Sequence, residues 1–103
     1  MAIALAASQD HIAAFFDSAD SLVVIDARVA GQRRVEAMPA GMTATQMQAI
    51  LRSWNVKVIL CGVIPTITKK SIEEAGIMVI PFLRGKLVDV ETGFAESAQH
   101  GVG

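Results

Sequence analysis

Residues 55–81 read NVKVILCGVIPTITKKSIEEAGIMVIP, and this stretch decides the fold. Val56 to Cys61 is a β-branched run too short for a buried helix, stopped by Gly62, and it predicts a buried strand. Thr66 to Ala75 is polar enough for a surface helix and is closed by Gly76. Ile77-Met78-Val79-Ile80 is again a buried strand, ended by Pro81. A strand, a helix and a strand joined by short loops imply parallel strands with a right-handed crossover.

Outward from there the pattern changes. On the N-terminal side, Thr43 with Gln46 three residues on has the form of a capping box. Met47, Ile50, Leu51 and Trp54 then lie on one helical stripe, and Asn55 stands where a left-handed C-terminal cap belongs. Further back, Ala2 to Ala7 is a short apolar run, read as a strand. Ser21 to Ala27 contains Leu22-Val23-Val24-Ile25, typical of a central strand, and Arg28 to Gly31 is read as a hairpin turn. Gln32 to Met38 alternates as an edge strand would, and Pro39-Ala40-Gly41 stops it. Residues 11–16 are read as a loop with one helical turn that packs Phe15 and Phe16 inward. On the C-terminal side, Leu87, Val90, Glu91, Phe94 and Ala95 keep helical spacing despite Gly93. The order is β-β-β-α-β-α-β-α, an α/β domain with one mixed five-stranded sheet covered by helices. Residues 1–98 form a single domain and residues 99–103 are expected to be a flexible tail.

Composition narrows the function classes. With 103 residues, of which 52% are hydrophobic and 18% charged, the chain can bury one core. A net charge of −1 leaves no basic stripe, since Arg33-Arg34 and Lys69-Lys70 are isolated pairs; nucleic acid is not an expected partner. The apolar runs are far shorter than the roughly 18 residues a membrane span needs, and no signal-peptide pattern opens the chain. Cys61 is the one cysteine, so no internal disulfide can form, and a cytoplasmic location is expected.

The segment 55–81 resembles the dinitrogenase iron–molybdenum cofactor biosynthesis family, small carriers of the NifX and NifB C-terminal type. The likeness rests on Val56 to Gly62, on Ser71-Ile72-Glu73-Glu74-Ala75-Gly76-Ile77 and on Val79-Ile80-Pro81. Ile3 to Ala6, Phe16 and Leu22 to Asp26 also align, so most of residues 2–82 are covered. The resemblance implies a ribonuclease-H-like three-layer fold and non-catalytic, metal-binding carriage of an iron–sulfur or iron–molybdenum-type cluster. It also implies partners among cluster assembly or acceptor proteins. The scaffold is matched more closely than the site. Where the family often has His-Phe-Gly the chain has Phe15-Phe16-Asp17, and where it has Gly-Gly-Ile-Gly-Pro the chain has Gly62-Val63-Ile64-Pro65-Thr66. The His-Gly-Gly type of segment is reduced to Ala40-Gly41-Met42.

Ligands of such sheets meet the loops at the carboxyl ends of the parallel strands, here residues 8–16, 61–66 and 81–86. Cys61 and His11 are the candidate metal ligands, a soft thiolate and an imidazole on one predicted edge. Ser8, Phe16, Gly41, Met42 and Gly62 complete the candidate cofactor-binding set, with Ser8, Gly41 and Gly62 offering backbone access. Each has a plainer reading: Cys61 as a small buried hydrophobe, His11 as an exposed loop residue, Met42 as packing. His100 is read as solvated. Catalysis is not expected. The first strand carries no acid for two-metal nuclease chemistry, Ser8 and Ser53 have no patterned base, and Gly62 to Pro65 lacks phosphate-loop glycine spacing. Two alternatives stay open. One is an interaction module without a cluster, a homodimer included, that uses the edge strand 32–38. The other is a small-anion site at the helix start near Thr66.

Overall fold

A computed structural model describes residues 2–26, 33–38 and 42–102. In chain order the elements are β1 (Ala2–Ser8), β2 (His11–Ile12), a 3-10 turn (Phe16–Ser18), β3 (Ser21–Asp26), β4 (Arg33–Ala37), α1 (Ala44–Ser53), β5 (Val56–Leu60), α2 (Thr66–Glu74), β6 (Met78–Ile80) and α3 (Leu87–Val102). The sheet order is β4-β3-β1-β5-β6, with β2 folded back on β1. Strands β3 and β4 run antiparallel on one side of β1, and β5 and β6 run parallel on the other. This is the mixed sheet read from the sequence, in the order of a ribonuclease-H-like three-layer domain.

Alternation along β1 builds two cores. Ala2, Ala4 and Ala6 face one side, where they join Leu22, Val24, Met47, Leu51, Ile72 and Val79 under α1 and α2. Ile3, Leu5 and Ala7 face the other, with Val23, Val58, Leu60 and Leu87, against which Val90 and Phe94 of α3 pack. Leu5, Leu22, Leu51, Ile59, Leu60 and Ile72 are the largest fully buried side chains, each contributing roughly 1.5–3 kcal/mol of transfer free energy. The pairing of β1 with β5 slips between Ala2↔Val56 and Ile3↔Val58, which leaves Lys57 as the extra, exposed residue. The slip puts Val56 and Ile59 on the α1/α2 side together, and Cys61 follows Ile59 onto that side.

The local signals act as read. Thr43 Oγ1 accepts from the Gln46 amide at 3.1 Å while Gln46 Oε1 accepts from the Thr43 amide at 2.9 Å, closing the capping box. Asn55 has φ 56° and Gly76 φ 83°, the left-handed turns that end α1 and α2. Gln48 Nε2 donates to Ser71 Oγ at 3.1 Å and ties α1 to α2. Arg33 of the outer strand reaches Glu91 of α3, with Nη2 2.7 Å from Oε1 and Nη1 3.1 Å from Oε2.

Three details differ from the sequence reading. His11–Ile12 forms a short strand rather than loop, pairing Ser8↔His11 and Ala7↔Ile12. Phe16 alone turns inward; Phe15 is exposed, because its backbone bridges to Val63 instead of entering the core. Helix α3 continues to Val102, into the segment read as a tail. The hairpin turn at residues 28–31 and the stop at 39–41 lie outside the described residues.

Candidate functional site at the carboxyl edge of the parallel strands

Strands β1, β5 and β6 end at one edge of the sheet, and the loops that follow them are stitched together by backbone hydrogen bonds. The Val63 amide donates to Ala14 O at 2.8 Å and the Phe16 amide to Val63 O at 2.7 Å, joining the first loop to the second. The Phe82 amide donates to Gly62 O at 3.0 Å and the Leu83 amide to Cys61 O at 2.9 Å, joining the second to the third. The Ile12 amide reaches Gly85 O at 2.9 Å and the Leu87 amide Asp10 O at 2.8 Å, which closes the third loop back onto the first. The edge is a rim of three loops joined by backbone hydrogen bonds.

Cys61 sits inside this rim and below its surface. It has no accessible area, and its Sγ lies 3.9 Å from Ile80 O. Burial pushes its thiol up to about 11, against a smaller opposing pull from Lys69. At neutral pH it is a protonated, enclosed thiol, not a thiolate facing solvent. The alternation with Ile59 that sends it inward is the physical reason.

Gly62 is also buried, and the space a side chain would need is already occupied. A Cβ there would come within 2.4 Å of Ala13 O and 2.5 Å of Ala14 O. The glycine is required by the chain's own first loop, which crosses it, and it offers no open backbone to a ligand. Phe16 is 2% exposed and belongs to the core under α1 and α2. Met42 is half-buried and packs on the same core. Gly41 lies outside the described residues.

His11 and Ser8 remain at the surface of the edge, brought together by the β1–β2 pairing. His11 Nδ1 is 2.6 Å from Asp10 Oδ1, both exposed, and this contact holds the Asp10 carboxyl below its ordinary range. The backbone of His11 bridges to Lys86. His11 and Cys61 are thus on one edge but differ in depth, one exposed and one enclosed. Among the described residues no group of three or more His, Cys, Asp or Glu is placed to hold a metal ion. Among the described residues, the donor set does not fit a cluster held by their side chains alone.

What the sequence reading missed is apolar. Phe15, Val63, Ile67 and Phe82 are 58%, 45%, 80% and 75% exposed, and all four lie in or beside the three loops. Phe82 also has φ 65°, a left-handed conformation that costs a non-glycine residue about 1–2 kcal/mol. Its signal in the sequence was a large apolar residue directly after Pro81, off every helical or strand stripe. Basic residues of the same region, Arg84, Lys86 and Lys70, are exposed, and Lys69 at the start of α2 is half-buried.

The fold and this edge define a class: a ribonuclease-H-like α/β domain with a closed, apolar rim at the ends of its parallel strands. No known family profile and no curated protein matches the chain. Solved structures do match. The apo form of the orange protein from Desulfovibrio gigas superposes with a TM-score of 0.76 at 20% identity, covering 93% of this chain and 88% of that one. A Thermotoga protein of the DUF35 family, provisionally described as NifB, gives 0.70 at 18% identity over 92% and 87%. A Methanocaldococcus jannaschii protein provisionally described as a dinitrogenase gives 0.66 at 20% identity over 88% and 83%. The resemblance carried by residues 55–81 therefore holds for the fold: its structural neighbours are proteins described as NifB and dinitrogenase.

Proposed function

We propose that the chain is a non-catalytic binding or carrier domain for metal–sulfur cargo, an iron–sulfur or iron–molybdenum-type cluster, accessory to cluster assembly. The observation that carries this reading is the rim of Phe15, Val63, Ile67 and Phe82, exposed at the edge where sheets of this kind bind ligands. The fold shared with proteins described as NifB, dinitrogenase and orange protein supports the class of cargo. In this reading the cargo brings its own small ligands, since the described side chains offer no ligating group of three. The protein then supplies apolar contact, a hydrogen-bonded frame and nearby positive charge.

A second reading is favoured by one observation. The enclosed, protonated Cys61 is what a scaffold without cluster binding would also show. In that case the rim is a contact surface for a partner protein.

Anaerobic loading separates the two. Wild type, Cys61→Ala and Phe82→Ser would each be mixed with a synthetic iron–sulfur cluster capped by small thiolates, desalted, and read for iron, sulfide and visible absorbance. The carrier reading expects retention by wild type and by Cys61→Ala, and loss in Phe82→Ser. Wild type that retains no iron would sink the carrier reading. Loss confined to Cys61→Ala would replace bound, self-ligated cargo with thiolate anchoring.

A further inference from the structure

Strand β4 is the outer strand of the sheet, and among the described residues it pairs only with β3. Its other edge presents main-chain donors and acceptors with no strand partner, the situation folded proteins ordinarily suppress with charge. Here the charges do not suppress pairing, because Arg34 and Glu36, two apart on one face, carry opposite signs. The strand reads Arg33-Arg34-Val35-Glu36-Ala37. We propose that β4 pairs antiparallel with β4 of a second copy of this chain, in a register centred on Val35, so that two sheets join into one continuous sheet.

The register follows from symmetry and charge. An isologous antiparallel pair has its two-fold axis perpendicular to the sheet, so opposed residues share a face and one residue of each strand faces its own copy across the axis. A register centred on Arg34 places arginine against arginine, and one centred on Glu36 places glutamate against glutamate. Like charges directly opposed destabilise such a pair. A register centred on Val35 places Val35 against Val35 and Arg34 against Glu36 of the copy, and that ion pair occurs twice.

The remaining charge is already neutralised. Arg33 is held by Glu91 of its own chain at 2.7 Å and faces only Ala37 of the copy. The faces agree as well. Val35 lies opposite Val23, on the α3 side, and is 64% exposed, so pairing covers an apolar side chain that the monomer leaves in water. Arg34 and Glu36 lie opposite Val24 and Leu22, on the α1/α2 side. Within one chain their contact is loose, Nε to Oε1 being 3.9 Å, so both are available to a partner. The sheet's other edge offers less: β6 has three residues and no complementary charges.

This inference is independent of the cargo reading, since β4 lies two strands away from β1 and the rim it ends in. The test is sedimentation from low to high micromolar chain concentration. Wild type should pass reversibly from monomer to dimer. Arg34→Glu and Glu36→Arg, each unchanged by circular dichroism, should weaken the dimer about tenfold or more, because each turns two attractive pairs repulsive. An equimolar mixture of the two variants should recover association, since each then meets the opposite sign. A wild type that stays monomeric throughout would overturn the proposal. So would single variants that associate like wild type, or a mixture that does not recover.

Discussion

Cys61 is a residue whose chemistry is decided by its depth. The unfolded thiol ionises near 9.0 and the folded one near 11, so between those values the unfolded chain has lost a proton the folded chain keeps. Stability is therefore unaffected by this group below about pH 9 and falls as pH rises toward 11. The full loss from this group is about 2–3 kcal/mol. Denaturant titrations across that range should show wild type losing more stability than Cys61→Ala; equal slopes would contradict the burial. Gly62, next to it, has no room. Gly62→Ala should destabilise by about 1–3 kcal/mol or more, because its Cβ meets two fixed carbonyl oxygens, and a neutral melting temperature would show that the 13–14 loop yields freely. Phe82 is the reverse case. Its left-handed backbone and exposed ring give the monomer little, so Phe82→Gly should leave stability within about 1 kcal/mol of wild type while removing cargo retention. A large loss of stability would mean the ring is structural.

At the scale of elements, the sequence is most readable where an element carries its own local signal. Helix α1 has both halves of its capping box and a left-handed stop at Asn55, so neither end depends on the tertiary fold. Thr43→Ala removes the acceptor for the Gln46 amide and should cost about 1 kcal/mol in chemical denaturation, with no change in the β-sheet signal. Thr43→Ser keeps a hydroxyl at the same place and should retain most of the wild-type stability. Equal losses in the two variants would mean that the hydroxyl is not what holds the helix start. Strands β3, β5 and β6 are equally plain from their β-branched runs, and β1 from its short apolar run. Strand β2 is not, because a two-residue strand shows no period and is defined by tertiary pairing, with Ser8 and Ala7 on β1 and with Lys86 and Gly85 in the third loop. The facing of Phe15 and Phe16 is hidden for the same reason: it is set by the bridge from Phe15 to Val63, a contact 48 residues away in the chain (63 − 15). The site is the least legible part. The sequence marks Cys61 and His11 as residues of interest on one edge, but which of them is enclosed depends on the β5 slip at Lys57, which no composition reveals.

Across the whole molecule, the two faces of the sheet are covered by different helices, and a polar contact outside the sheet reaches from its outer strand to the α3 layer. Arg33 on β4 and Glu91 on α3 are 58 residues apart and meet in two short contacts. The two partners are not equally exposed: the Glu91 side chain is 19% exposed and the Arg33 side chain 41%. Removing the more exposed partner strands the more buried charge, and a buried carboxylate without its cation carries its desolvation cost uncompensated. Removing the glutamate instead leaves an arginine that can turn into water. Arg33→Ala should therefore destabilise by about 1–2 kcal/mol, and Glu91→Ala by about half as much, although both delete the same ion pair. Raised salt should change neither loss much, since the partly buried carboxylate is shielded from the mobile ions that would screen it. The double variant should resemble Glu91→Ala, because the stranded charge is then gone. Equal losses for the two single variants would show that the pair acts as an ordinary surface salt bridge, and that β4 is held to the domain by β3 alone.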